Sequence, residues 1–196
     1  MKIAIIKYNA GNVKSVEIAL ERLGISSILT DDPAEILSAD KIIFPGVGEA
    51  SSAMNYLHSK GLDRVILDIT QPFLGICLGM QLMCTFSEEN NAVCLGVFQE
   101  KVLKFDSGTI NLKTPQIGWN NIYNLSSPLF KNVTENSYCY FVHGYFASMG
   151  DQTIATAEYG IEYSAALKHN NYYGVQFHPE KSADVGNKII QNFIAI

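Results

Sequence analysis

The stretch Gly75-Ile76-Cys77-Leu78-Gly79 closes an apolar run of strand length and opens a helix-like one. Its spacing matches the nucleophile elbow G-x-S-x-G, with cysteine in the place of serine. A nucleophile on so sharp a strand-to-helix turn has strained backbone angles, and side chains on its neighbours would strike the strand and the helix. The turn lifts the sulfur clear of the sheet and sets it at a helix N-terminus, whose positive end favours thiolate over thiol. About a hundred residues downstream, after the apolar run 172–177, stands Phe177-His178-Pro179-Glu180. A nucleophile in one segment and a base with its orienting carboxylate in the other make a triad of Cys77, His178 and Glu180.

Strand and helix signals alternate around the elbow. Residues 3–6 read as a first strand, then Asn9-Ala10-Gly11-Asn12 as a loop in which Asn12 can cap a helix over 13–23. Strands are expected at 26–29, 41–44 and 73–76, and helices at 33–37, 49–58, 62–69 and, after the elbow, 78–85. The second half is richer in strands, at 95–97, 102–105, 122–123, 138–142, 153–157, 164–168 and 172–177, before a closing helix at 184–194. This order predicts an α/β fold: a mostly parallel central sheet flanked by helices, with additional antiparallel strands and ligand sites at the carboxyl ends of the parallel strands. No repeat or linker interrupts the chain, and residues 1–196 read as one domain.

Composition narrows the function. Only 17% of the 196 residues are charged while 47% are hydrophobic, so part of the surface is expected to face a partner. A net charge of −5 excludes a nucleic-acid binder that relies on a basic face. No apolar run is long enough for a bilayer, residues 1–6 are too short for a signal peptide, and a cytoplasmic protein is expected. Of the four cysteines, Cys84, Cys94 and Cys139 read as free, small buried residues.

Acyl transfer also needs donors for a developing oxyanion. The N–H of Leu78 is one, and Pro45-Gly46-Val47-Gly48, after a strand in the same half of the sheet, offers another unless it is an ordinary β-to-α turn. His143, ending the aromatic run Tyr140-Phe141-Val142, reads from spacing alone as structural.

Taken together, these motifs resemble the class I (triad) glutamine amidotransferases, and within them the glutaminase subunits of imidazole glycerol phosphate synthases. Gly75-Ile76-Cys77-Leu78-Gly79-Met80-Gln81 and Gln176-Phe177-His178-Pro179-Glu180 carry the class-wide likeness. Pro45-Gly46-Val47-Gly48, Pro115-Gln116-Ile117-Gly118-Trp119-Asn120, Tyr140-Phe141-Val142-His143 and Lys181-Ser182 carry the narrower one. The resemblance implies the class I amidotransferase fold and glutamine hydrolysis through a Cys77 thioester. Ammonia would pass to a (β/α)₈-barrel cyclase subunit in a heterodimer, which makes imidazole glycerol phosphate and aminoimidazole carboxamide ribonucleotide for histidine biosynthesis. It further implies that Gln81 and the backbones of Gly46, Gly48, Gly144 and Tyr145 hold glutamine. Val47 would supply an oxyanion amide after its peptide reorients on partner binding. Asn12, Trp119, Tyr140, His143 and Lys181 are implied at or near the subunit interface, and no metal or organic cofactor is implied. The chain departs from the family pattern at Lys7, where an acidic residue is frequent, and at Gly144, where Ser or Thr is common. Other readings are a different class I glutaminase, a stand-alone γ-glutamyl cysteine hydrolase, and an inactive scaffold.

Overall fold

Four short apolar strands, β1 (Ile3–Ile6), β3 (Lys41–Phe44), β4 (Phe73–Ile76) and β13 (Tyr172–Val175), are buried along their whole length in the computed structural model. The structure describes residues 1–8, 13–110 and 112–196, so the expected Asn12 cap lies outside the described residues. With β2 (Ser27–Thr30) these strands form a parallel array in the order β2-β1-β3-β4-β13. Burial on both faces explains why they read as unbroken apolar runs rather than as alternating ones.

Successive side chains leave a strand on opposite faces. Ile3 and Ile5 pack with Val16 and Leu20 of α1 (Val13–Arg22) and with Ile189 and Phe193 of α7 (Ala183–Ala195). Ile6, Ile42 and Phe44 pack on the other face with α2 (Pro33–Leu37), α3 (Ala50–Lys60), α4 (Leu62–Leu67) and α5 (Leu78–Leu82). Asp32 caps α2 through bonds from Ala34 N–H and Glu35 N–H, and Gly61, at φ 66°, ends α3.

Beyond β13 the sheet turns mostly antiparallel, with one parallel pairing between the strands at 86–87 and 101–104. The neighbours are β12 (Glu162–His169), β10 (Tyr145–Ala147), β7 (Lys101–Lys104), β5 (Phe86–Ser87) and β6 (Ala92–Val93), with β11 (Thr153–Glu158) beside β12. β7 is followed by a single helical turn, α6 (Ser107–Ile110). A separate two-stranded ribbon pairs β8 (Gln116–Ile122) with β9 (Ser137–His143).

Three expectations are corrected. The helix after the elbow stops at Leu82, because the carbonyls of Leu82, Met83 and Cys84 accept the N–H groups of Leu95, Phe98 and Gly96. The same bonds remove 95–97 from any strand. Finally, β8 begins at Gln116, six residues before the strand expected at 122–123.

Candidate active site

Cys77 sits between β4 and α5 at φ 53°, ψ −110°, a conformation that costs a non-glycine residue about 1–3 kcal/mol. Two backbone bonds hold it there: Cys77 N–H to the Val175 carbonyl at 2.8 Å, and Gln81 N–H to the Cys77 carbonyl at 3.1 Å. The flanking glycines are needed for space. A Cβ on Gly79 would lie 1.8 Å from the Phe44 carbonyl oxygen, and one on Gly75 would lie 2.8 Å from the Gly79 carbonyl.

His178 Nδ1 donates to Glu180 Oε1 at 2.8 Å, and both side chains are sealed from solvent. The contact is not made by an extended backbone. Residues Pro179–Lys181 form a 3₁₀ turn that folds Glu180 back onto the imidazole. Burial pulls the His178 pKa down, but the charge of Cys77, its hydrogen bond to the ring and the bond to Glu180 outweigh it and raise the value to about 10. The ring thus stands within electrostatic reach of Cys77, with Glu180 bonded to its Nδ1. The backbone of His178 is clamped as well. Its N–H donates to the Tyr140 carbonyl at 2.8 Å, and Ser182 Oγ donates to its carbonyl at 2.7 Å while accepting from Tyr140 N–H at 3.0 Å.

Leu78 N–H, expected as an oxyanion donor, instead donates to the Gly46 carbonyl at 3.3 Å. The Gly46–Val47 peptide thus presents oxygen where an oxyanion hole needs N–H.

A cavity of about 240 Å³ opens at the sulfur, lined by Val47, Gly48, Leu78, Gln81, Glu89, Pro115, Val142, His143, Gly144 and Tyr145. It is smaller than the roughly 300–1,000 Å³ of drug- and cofactor-sized sites, and fits a ligand the size of an amino acid. Gln81, Gly48, Gly144 and Tyr145 line this one cavity, while Gly46 stands one residue behind the wall. The Tyr145 carbonyl is already engaged, accepting from Gln81 Nε2 at 2.9 Å and from His143 Nδ1 at 2.7 Å. His143, expected at or near a partner surface, is buried and turns Nε2 to the Tyr163 hydroxyl at 3.4 Å. Burial, with the charge of His178, lowers its pKa to about 4 against the bond to Tyr145.

Residues without an assigned role in the sequence also build the site. The Glu89 carboxylate faces the cavity, accepts from Ala50 N–H at 2.8 Å and has its pKa raised by burial. Gln176 is buried beside Cys77, and Ser182 forms the clamp on His178. Gln176 and Ser182 stand inside the quoted motifs; nothing local marks Glu89.

The β8–β9 ribbon presents Ile117, Trp119 and Tyr138 to solvent, at 64%, 53% and 57% exposure. Trp119 meets Tyr140 edge to face at 6.0 Å, and Lys181 Nζ lies 5.9 Å above the Tyr140 ring. The apolar patch thus continues into the segment that carries His178. Among the described residues no group of His, Cys, Asp and Glu is arranged to hold a metal, and no helix is long and apolar enough to cross a membrane.

A cysteine on a strained elbow, a buried His–Glu pair and an amino-acid-sized cavity on this sheet define a class. The model of the Glutamine amidotransferase class-I family matches residues 4–196. Imidazole glycerol phosphate synthase subunit HisH of Bacteroides fragilis is 50% identical over 196 residues, covering 100% of both chains. The HisH subunit of Bacteroides thetaiotaomicron is 47% identical over 99% of both, and that of Buchnera aphidicola 43% identical over 100% of both. Among solved structures, PurLQS from Thermotoga maritima superposes with a TM-score of 0.69 at 18% identity, covering 99% of this chain and 97% of that one. A glutamine amidotransferase from the same organism gives 0.63 at 20%, covering 99% and 82%. These two share the fold. The chain belongs to the class-I glutamine amidotransferases, in the branch of the HisH subunits of imidazole glycerol phosphate synthase.

Proposed function

We propose that Cys77, His178 and Glu180 hydrolyse glutamine and that the ammonia is handed to a cyclase subunit without release to solvent. As a member of the HisH branch, the chain is the glutaminase subunit of imidazole glycerol phosphate synthase in histidine biosynthesis. The observation that carries the triad is a buried His178 ring bonded to Glu180 at 2.8 Å and raised in pKa by the nearby Cys77, whose side chain lines an amino-acid-sized cavity.

The chemistry follows from these groups. The sulfur adds to the side-chain carboxamide carbon of glutamine, giving a tetrahedral oxyanion. As the C–N bond breaks, the nitrogen takes a proton from His178 and leaves as ammonia. A water then attacks the thioester, His178 takes its proton, and glutamate leaves with the thiol restored. Glu180 fixes the ring tautomer and stabilises the imidazolium. Glu89 and the Gln81 oxygen are suited to accept from the α-ammonium group, which distinguishes an amino acid from a bare amide.

The partner is a cyclase of (β/α)₈-barrel fold that docks on the Trp119–Tyr140–Lys181 face. Exposed aromatics beside the triad segment support that reading. Docking rotates the Gly46–Val47 peptide, which frees Leu78 N–H and brings Val47 N–H to the oxyanion. The test is Cys77→Ala in the assembled complex. Glutamine-dependent synthesis should vanish while synthesis from added ammonia persists; loss of both would contradict a role confined to supplying ammonia.

A further inference from the structure

Gln176 follows β13, where its N–H donates to the Ala165 carbonyl at 2.8 Å, and its side chain is wholly buried. Its Nε2 lies 3.6 Å from Cys77 Sγ, and its Oε1 accepts from Gln81 Nε2 at 2.9 Å. The Gln81 nitrogen also donates to the Tyr145 carbonyl at 2.9 Å.

The direction of this chain of bonds is forced. A peptide carbonyl can only accept, so Gln81 must turn its NH₂ toward Tyr145. The same NH₂ faces Gln176, so Gln176 must turn its oxygen to Gln81 and its nitrogen to the sulfur. Reversing Gln81 would set oxygen against oxygen, and reversing Gln176 would set NH₂ against NH₂, in a buried site. Cys77 therefore always meets an N–H from this side. Its other neutral contact, 3.7 Å to the Val142 carbonyl, can accept only from the protonated thiol. When the proton goes to His178 that contact loses its hydrogen, whereas the Gln176 bond becomes charge-assisted and strengthens.

We propose that Gln176 is a positioning residue of the glutaminase reaction: it anchors the Cys77 sulfur, supports its negative charge, and ties it to Gln81. The proposal rests on the glutaminase reading above. It has a consequence for selectivity. With both Nε2 hydrogens spent in the network, Gln81 offers the cavity only an acceptor oxygen, so it selects a ligand group that donates, such as an ammonium.

Gln176→Glu keeps the shape and the acceptor for Gln81 but puts a carboxyl oxygen against the sulfur; Gln176→Met removes the donor without adding charge. The readout is the pH profile of iodoacetamide alkylation at Cys77 in the full chain, followed by peptide mass spectrometry to separate it from the other three cysteines. The midpoint should rise by about one unit or more in either variant that folds. Alkylation at neutral pH should then fall roughly tenfold. In the complex with the cyclase, kcat for glutamate release should fall more than KM changes. Profiles superimposable on wild type in both folded variants would overturn the proposal. Alkylation needs neither glutamine nor partner. Failure of the glutaminase reading would instead show as a wild-type complex that releases no glutamate while Cys77 still alkylates.

Discussion

The carbonyl of Gly46 accepts the N–H of Leu78 at 3.3 Å, so the amide that follows the nucleophile is engaged before any substrate arrives. One rotation of the Gly46–Val47 peptide would release that donor and deliver a second, so a single peptide sets two of the oxyanion's hydrogen bonds. Val47→Pro deletes the incoming N–H. In the partnered enzyme it should lower kcat for glutamate release about 10²- to 10³-fold with little change in KM. Steady-state kinetics on the complex checks this; an unchanged kcat would remove Val47 from the oxyanion site.

Positive φ at Cys77 makes a prediction about stability. Cys77→Ala and Cys77→Gly both remove the sulfur, but only glycine relieves the backbone at φ 53°. The glycine variant should be more stable than the alanine variant by about 1 kcal/mol, read from denaturant or thermal unfolding. Equal stabilities would mean that the elbow stores no strain.

Glu180→Gln keeps an acceptor for His178 Nδ1 and loses only the charge, whereas His178→Ala deletes the base. We expect a loss in kcat/KM of about 10²-fold for the first and about 10⁴-fold or more for the second. Equal losses would place Glu180 in a direct chemical role.

The motifs made much of this legible, and the reason is burial. Ile3–Ile6, Lys41–Phe44 and Phe73–Ile76 face packed helices on both sides and so read as plain apolar runs. β8 did not, because its Ile117 and Trp119 face solvent while Gly118 and Asn120 break the alternation that a one-sided strand would show. The strand expected at 95–97 failed for a different cause: its backbone donors cap the end of α5, a long-range use that local propensity does not register. The site divides in the same way. Cys77, His178 and Glu180 stand in compact motifs whose geometry is local. Glu89 is held by Ala50, 39 residues away, and Gln176 by Gln81, 95 residues away, so their places emerge only once the sheet is assembled.

His143 sets an acid limit on the fold. Its folded pKa, lowered to about 4 chiefly by burial, lies below the ordinary histidine value of 6.5. The unfolded chain therefore binds the extra proton first. Stability from this residue is whole above pH 6.5, declines as pH falls toward 4, and is flat below that. The decline is on the order of 3 kcal/mol for a fully buried ring. Thermal melts should show it in wild type and show a shallower acid branch in His143→Phe; parallel branches would mean that another group dominates.

The most direct test of a partner-gated glutaminase is glutamate release measured for the chain alone, with the cyclase subunit, and with the cyclase carrying its ribonucleotide substrate. The closed Gly46–Leu78 contact predicts slow turnover alone and a rise of at least tenfold when the loaded partner is present. Full turnover by the lone chain would contradict the gate and point to an independent γ-glutamyl hydrolase.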